Sequence, residues 1–213
     1  HTRDGVAVTK FLFWLNNNFD KNNITEIDAA KKLYNLRKKN KLFFSPSFET
    51  ISGFGSNGSI IHYNPSKRTN KLIKRNNIFL IDSGAQYIDG TTDITRTISI
   101  GKPRIEQMKM YTRVLKGNIA LTNTIFDEKT TGKKLDRIAR KYLLDIKKDY
   151  EHGTGHGVGS FLSVHEWPPS ISKSSNTSFV NGMIVSNEPG YYKKKDYGIR
   201  IENLLLVIKK KNK

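Results

Sequence analysis

The chain has 213 residues, no Cys and a net charge of +18, from 37 Lys+Arg against 19 Asp+Glu. The missing Cys excludes disulfides and thiolate chemistry, and no apolar run approaches the ~20 residues of a membrane helix. The basic runs (Lys38-Lys39-Asn40-Lys41, Lys74-Arg75-Asn76-Asn77, Lys209-Lys210-Lys211-Asn212-Lys213) are scattered and carry no nucleic-acid motif, so they read as solvated Lys/Asn surface.

Asp4 to Phe19 is expected to be a helix, because Val8, Phe11, Leu12, Leu15 and Phe19 recur at three-to-four spacing. Thr25 with Asp28 forms a capping signal for a second helix running to about Lys39. Ser45-Pro46-Ser47 breaks the pattern. A short strand Phe48–Ser52, a glycine loop Gly53–Gly58 and a strand Ser59–Tyr63 are predicted next. That loop lacks the Lys-Ser/Thr and the helix of a P-loop, so it reads as a turn.

Ile78–Ile81 leads into Asp82, turn residues follow, and Asp93 opens the β-favouring run Ile94–Ile100. This is a hairpin signal. Helices are then predicted over Ile105–Ile125, with Gly117 a mild weakness, and from Leu135 to about Ile146. Strands are predicted at Phe161–Val164, Met183–Ser186 and Ile199–Ile208. The order helix, helix, strands occurs twice. It predicts an α+β domain with internal pseudo-symmetry, helices covering one face of a curved antiparallel sheet and a site on the other.

Five residues stand out in apolar or glycine-rich β sequence: Asp82, Asp93, His156, Glu188 and Glu202. A carboxylate at the edge of a buried strand is costly unless a cation or hydrogen bonds satisfy it. Four carboxylates and one imidazole carry too much negative charge for one divalent ion and suit two. Oxygen-dominated ligation favours an ion such as Mn²⁺. A two-metal site can hold a bridging hydroxide and polarise a carbonyl. His152 lies four residues before His156 in the same glycine-rich segment, whereas nothing in the spacing brings His62 or His165 to the site. Arg200, two before Glu202, is placed to pair with a ligand carboxylate.

Several blocks in order resemble one family. They are Asp82-Ser83-Gly84-Ala85-Gln86-Tyr87, Asp89 to Thr97, His152-Gly153-Thr154-Gly155-His156-Gly157-Val158-Gly159, Asn187-Glu188-Pro189-Gly190-Tyr191-Tyr192 and Gly198 to Asn203. They are similar to the catalytic domain of aminopeptidase P, the X-Pro aminopeptidase, a relative of prolidase and methionine aminopeptidase. The resemblance runs from about His1 to Val207. The segments Ser56–Tyr63 and Gly159–Glu166 look like the cytosolic eukaryotic form.

The resemblance implies the pita-bread fold over residues 1–213 and a cytoplasmic location. It implies a dinuclear site, usually manganese, with Asp93 and Glu202 bridging, Asp82 on one ion, and His156 and Glu188 on the other. Glu188 would be the general base. His62, His152 and His165 would bind substrate or shuttle protons, and Arg200 would line the substrate site. The reaction would be hydrolysis of an N-terminal X-Pro bond by a hydroxide held between the metals. Proline-containing peptides are the expected substrates, and a homodimer is expected of the full-length protein, with neither membrane nor nucleic acid as partner. The alternatives are a prolidase, or a non-enzymatic binding module on the same scaffold. Two positions depart from the family pattern: Asn187, where Asp is usual, and Trp167-Pro168-Pro169, where Gly-Pro is usual. Full-length members carry N-terminal domains and a C-terminal extension. The chain, which starts at His1, is therefore expected to be the catalytic domain of a longer protein.

Overall fold

In a computed structural model, residues 1–209 are described. Helix α1 (Thr2–Asn18) buries Val8, Phe11 and Leu15, and α2 (Glu26–Lys38) buries Ala29 and Leu33. The predicted capping box forms: Asp28 N donates to Thr25 Oγ1, and Thr25 N donates to the Asp28 carboxylate. Strands β1 (Phe43–Pro46) and β2 (Ile51–Phe54) follow, then a 3-10 turn over Gly55–Ser59. The hairpin region contains β3 (Asn77–Ser83), β4 (Ala85–Tyr87), β5 (Gly90–Thr91) and β6 (Ile94–Ile100). Helices α3 (Ile105–Thr122) and α4 (Gly132–Leu144) come next. The chain then forms β7 (Gly155–Gly157), β8 (Glu166–Ile171), β9 (Ile184–Asn187), β10 (Gly190–Lys193), β11 (Tyr197–Arg200) and β12 (Asn203–Leu206).

The α+β expectation holds, and the strand pairings are antiparallel, in four hydrogen-bonded groups. The first helix pair packs on β2-β3-β6 through Phe11, Leu15, Leu33, Phe79 and Ile81. The second covers β8 and β9 through Leu121, Leu135, Ala139, Ile171 and Val185. The two halves thus repeat the helix-helix-strand order, each around its own core. Each fully buried Leu, Ile or Phe contributes about 1.5–3 kcal/mol.

Four local expectations are corrected. Ser59–Tyr63 is not a strand: Ser59 closes the 3-10 turn and Tyr63 N bonds back to Ile60 O. The buried carboxylate of Glu26 causes this curl, because it accepts from Phe54 N, Asn57 Nδ2 and Tyr63 OH together. Phe161–Val164 is not a strand either. Phe161 has φ +56°, in the left-handed region, and β8 begins only at Glu166. The long strand Ile199–Ile208 is two strands, since β11 pairs with β10 while β12 pairs with β9. Between them, Glu202 N donates to Thr95 O. Finally, β1 forms where a break was expected, with Pro46 as its last residue. Of the basic run that begins at Lys209, residues 210–213 lie outside the described residues.

Gly117 is a contact rather than a weakness. A Cβ there would lie 2.1 Å from the Ala139 carbonyl oxygen, so α3 and α4 meet at its backbone. Alanine is the better helix former by about 1 kcal/mol. Gly117→Ala nevertheless destabilises, by roughly 1–3 kcal/mol, because the helices must separate. Chemical denaturation of both proteins measures this; an unchanged or raised midpoint contradicts it.

Candidate metal centre

The five singled-out residues come from five places in the chain. Asp82 is on β3, Asp93 is in the turn before β6, His156 is on β7, Glu188 follows β9, and Glu202 lies between β11 and β12. The β3–β6 register sets Asp82 opposite Thr95, which puts both hairpin carboxylates at the same end. All five line one cavity of about 700 Å³, together with His62, His152, His165 and Arg200. Asp93, His156 and Glu202 each offer a ligand atom within 4.8 Å of the others. His156 Nε2 lies 3.5 Å from Asp93 Oδ2 and 3.3 Å from Glu188 Oε1.

Hydrogen bonds orient these groups. His156 Nδ1 lies 2.8 Å from Gly157 O, a carbonyl that can only accept. A proton therefore sits on Nδ1, and Nε2 is turned toward the carboxylates. Thr95 Oγ1 donates to Glu202 Oε2 at 2.7 Å. Ser186 Oγ donates to Glu188 Oε1 at 3.0 Å and accepts from His156 N. Buried Arg200 donates to Asp82 Oδ2 through Nε at 3.1 Å and Nη2 at 2.6 Å. Its Nη1 donates to Tyr192 OH at 2.6 Å, and Tyr192 OH bonds His152 Nε2 at 2.8 Å.

The electrostatics match a place for cations. Burial pushes Asp93 up to about 7, against a hydrogen bond from His156. Burial, then the charge of Asp93, pushes Glu202 well above the usual carboxylate range. Burial opposes a charge on His156, yet hydrogen bonds to Asp93 and Glu188 push it up to about 10. A protonated His156 is the positive charge that crowded carboxylates attract. Two carboxylate oxygens, Asp82 Oδ1 and Glu202 Oε1, are buried with no hydrogen-bond donor. Such atoms are costly unless a cation meets them. The donor set, four carboxylates and an imidazole, fits hard or borderline divalent ions.

Other predicted site residues differ in exposure. His152 is half-buried, and burial, the largest influence, holds it down to about 4, so it is neutral. His62 and His165 are exposed at the cavity wall, with the His165 ring 4.3 Å from that of His156. Asn187 points the other way: its Nδ2 donates to Asn118 O and Thr122 Oγ1 on α3. The departure at that position therefore does not reach the cavity. Trp167 is 78% exposed and is not among the cavity-lining residues. Sequence reasoning missed Thr95, Ser186 and Tyr192. The signal for the first two was period-two spacing, since Thr95 follows Asp93 by two and Ser186 precedes Glu188 by two.

The model of metallopeptidase family M24 matches residues 1–209. The chain belongs to that family. Aminopeptidase P2 of Arabidopsis thaliana is 51% identical over 210 residues, covering 97% of the chain and 30% of that protein. Human Xaa-Pro aminopeptidase 2 is 46% identical over 213 residues, covering 100% of the chain and 32% of that protein. The chain thus spans about a third of the curated relatives it matches. A crystal structure of X-prolyl aminopeptidase from Caenorhabditis elegans, described as a cytosolic enzyme with a di-nuclear active site, superposes with a TM-score of 0.91. It is 41% identical and covers 96% of the chain and 34% of its own. Prolidase from Pyrococcus furiosus superposes with a TM-score of 0.79 at 36% identity, covering 86% of the chain and 52% of its own. The fold of this M24 chain is the pita-bread fold. Among the described residues no helix is long and apolar enough to cross a membrane.

Proposed function

We propose that this M24 chain is the catalytic part of an X-Pro aminopeptidase that removes the first residue from peptides with proline second. One observation carries the reading: four carboxylates and an imidazole converge in one cavity with His62, His152, His165 and Arg200. Asp82, Asp93, His156, Glu188 and Glu202 would hold two divalent ions, Mn²⁺ in this reading. Bound there, the ions would supply Lewis acidity toward a water and the scissile carbonyl.

The chain's own groups have distinct work. Glu188, steadied by Ser186, accepts the proton of the attacking water and is the general base. His62 and His165, exposed at the wall, meet the peptide and pass a proton to the leaving amine. Neutral His152, held by Tyr192, offers a fixed surface to the substrate. Arg200 holds Asp82 and borders the substrate cavity.

A cytoplasmic site of action is supported by the description of the C. elegans relative. The full-length protein is proposed to be a homodimer, with proline-containing peptides and neither membrane nor nucleic acid as partners.

Prolidase is the second reading, favoured by the likeness to the P. furiosus enzyme. The full-length protein loaded with Mn²⁺, given an X-Pro-Y tripeptide and an X-Pro dipeptide, separates the two. Release of X from the tripeptide is the expected result. Cleavage of the dipeptide alone makes it a prolidase, and cleavage of neither with metal bound rejects both. The convergence of all five ligand-type residues weighs against the non-enzymatic reading.

A further inference from the structure

Behind the cavity wall lies a second buried charge cluster, whose two key members do not line the cavity. Arg140 on α4 is 2% exposed and Asp136 is 1% exposed. Arg140 Nε donates to Asp136 Oδ2 at 2.7 Å. The other nitrogens grip one short segment. Nη1 donates to Asp149 Oδ1 at 2.7 Å and to Tyr150 O at 2.6 Å, and Nη2 donates to His152 O at 2.7 Å. The guanidinium also stacks 3.8 Å from the centre of the Tyr150 ring. Asp136 uses its second oxygen on the same segment, accepting from Thr154 Oγ1 at 2.6 Å.

This pair therefore holds the main chain that presents His152. The ring of His152 is fixed from the other sides. It packs 4.9 Å from Tyr150 and 5.4 Å from Tyr192, and its Nδ1 bonds Gly153 O at 2.7 Å. The carbonyl of Thr154 in turn accepts from Glu188 N at 2.8 Å. A buried ion pair of this kind is a poor source of stability, because desolvating both charges offsets their attraction. The four directed hydrogen bonds that Arg140 donates are better explained by the backbone geometry they impose.

We propose that Asp136 and Arg140 are positioning residues that act through His152, holding it in the one orientation the peptide substrate meets. The inference rests on the peptidase reading above. Arg140→Lys keeps the charge beside Asp136 but cannot reach Asp149, Tyr150 O and His152 O together.

In the full-length Mn²⁺ protein, Arg140→Lys is expected to lower kcat on an X-Pro-Y peptide by about 10–100-fold with bound metal unchanged. In a His152→Ala background the same substitution should cost less than twofold. The activity-independent readout is the His152 ring N–H signal of histidine-labelled, Zn²⁺-loaded protein, assigned with His152→Ala. It should shift or vanish in Arg140→Lys. Additive losses in the double variant, or an unmoved ring signal, overturn the proposal. If Arg140→Lys does not fold, Asp136→Asn, which keeps an acceptor for Thr154, is read in the same ways. A wild-type protein without X-Pro activity sinks the peptidase reading, and the ring signal then decides the positioning claim alone.

Discussion

Glu202→Gln is expected to stabilise the metal-free protein and to abolish turnover. The Glu202 carboxylate is 1% exposed, shares its cavity with three other carboxylates, and leaves Oε1 without a donor. Glutamine keeps the volume and can still accept from Thr95 Oγ1. Its amide brings a donor to the place where an oxygen had none. Relieving an unsatisfied buried charge is worth on the order of 1–3 kcal/mol. In the proposed reading the same change removes a ligand from the metal centre. Turnover should fall at least ~10³-fold, about 4 kcal/mol of barrier, and the stabilisation by added Mn²⁺ should shrink. Thermal melts with chelator and with Mn²⁺, beside peptide hydrolysis, test both halves. A lower melting temperature in chelator would contradict the electrostatic argument.

Arg200→Ala is the second large effect, of opposite sign for the fold. Arg200 is 2% exposed and donates to Asp82, Tyr192 and Ile61. Removing it strands the Asp82 carboxylate and frees Tyr192 from its donor. Breaking one side of a buried pair costs about 3–5 kcal/mol. Arg200→Lys keeps the charge yet cannot span three acceptors, so it should retain more stability while losing about 10–100-fold in kcat. Denaturant midpoints and peptide kinetics of the two variants test this. A cost below ~1 kcal/mol for Arg200→Ala would mean that the pair does not hold Asp82.

Much of the site was legible because its chemistry is locally anomalous. A carboxylate among β-branched residues, as at Asp82 or Glu202, has no cheap local explanation. Period-three-to-four spacing and the Thr25 cap likewise marked the helices. What failed was local β structure. Ser59–Tyr63 has strand composition, yet the distant Glu26 carboxylate curls it. The break at Glu202 was hidden in a continuous apolar run, because only partner strands decide where one strand becomes two.

By itself the sequence determined the helix pairs, the α+β class, and which residues carry charge where burial makes charge expensive. Tertiary structure alone decided that His62 and His165 reach the same cavity as the carboxylates. It also decided that Arg200 serves Asp82 and that Asp136 and Arg140 stand behind His152. The physical reason is range. Side-chain periodicity and capping act within a few residues, whereas these contacts join positions from 12 apart, as for Arg140 and His152, to 118 apart, as for Arg200 and Asp82, and form only when separate elements pack together.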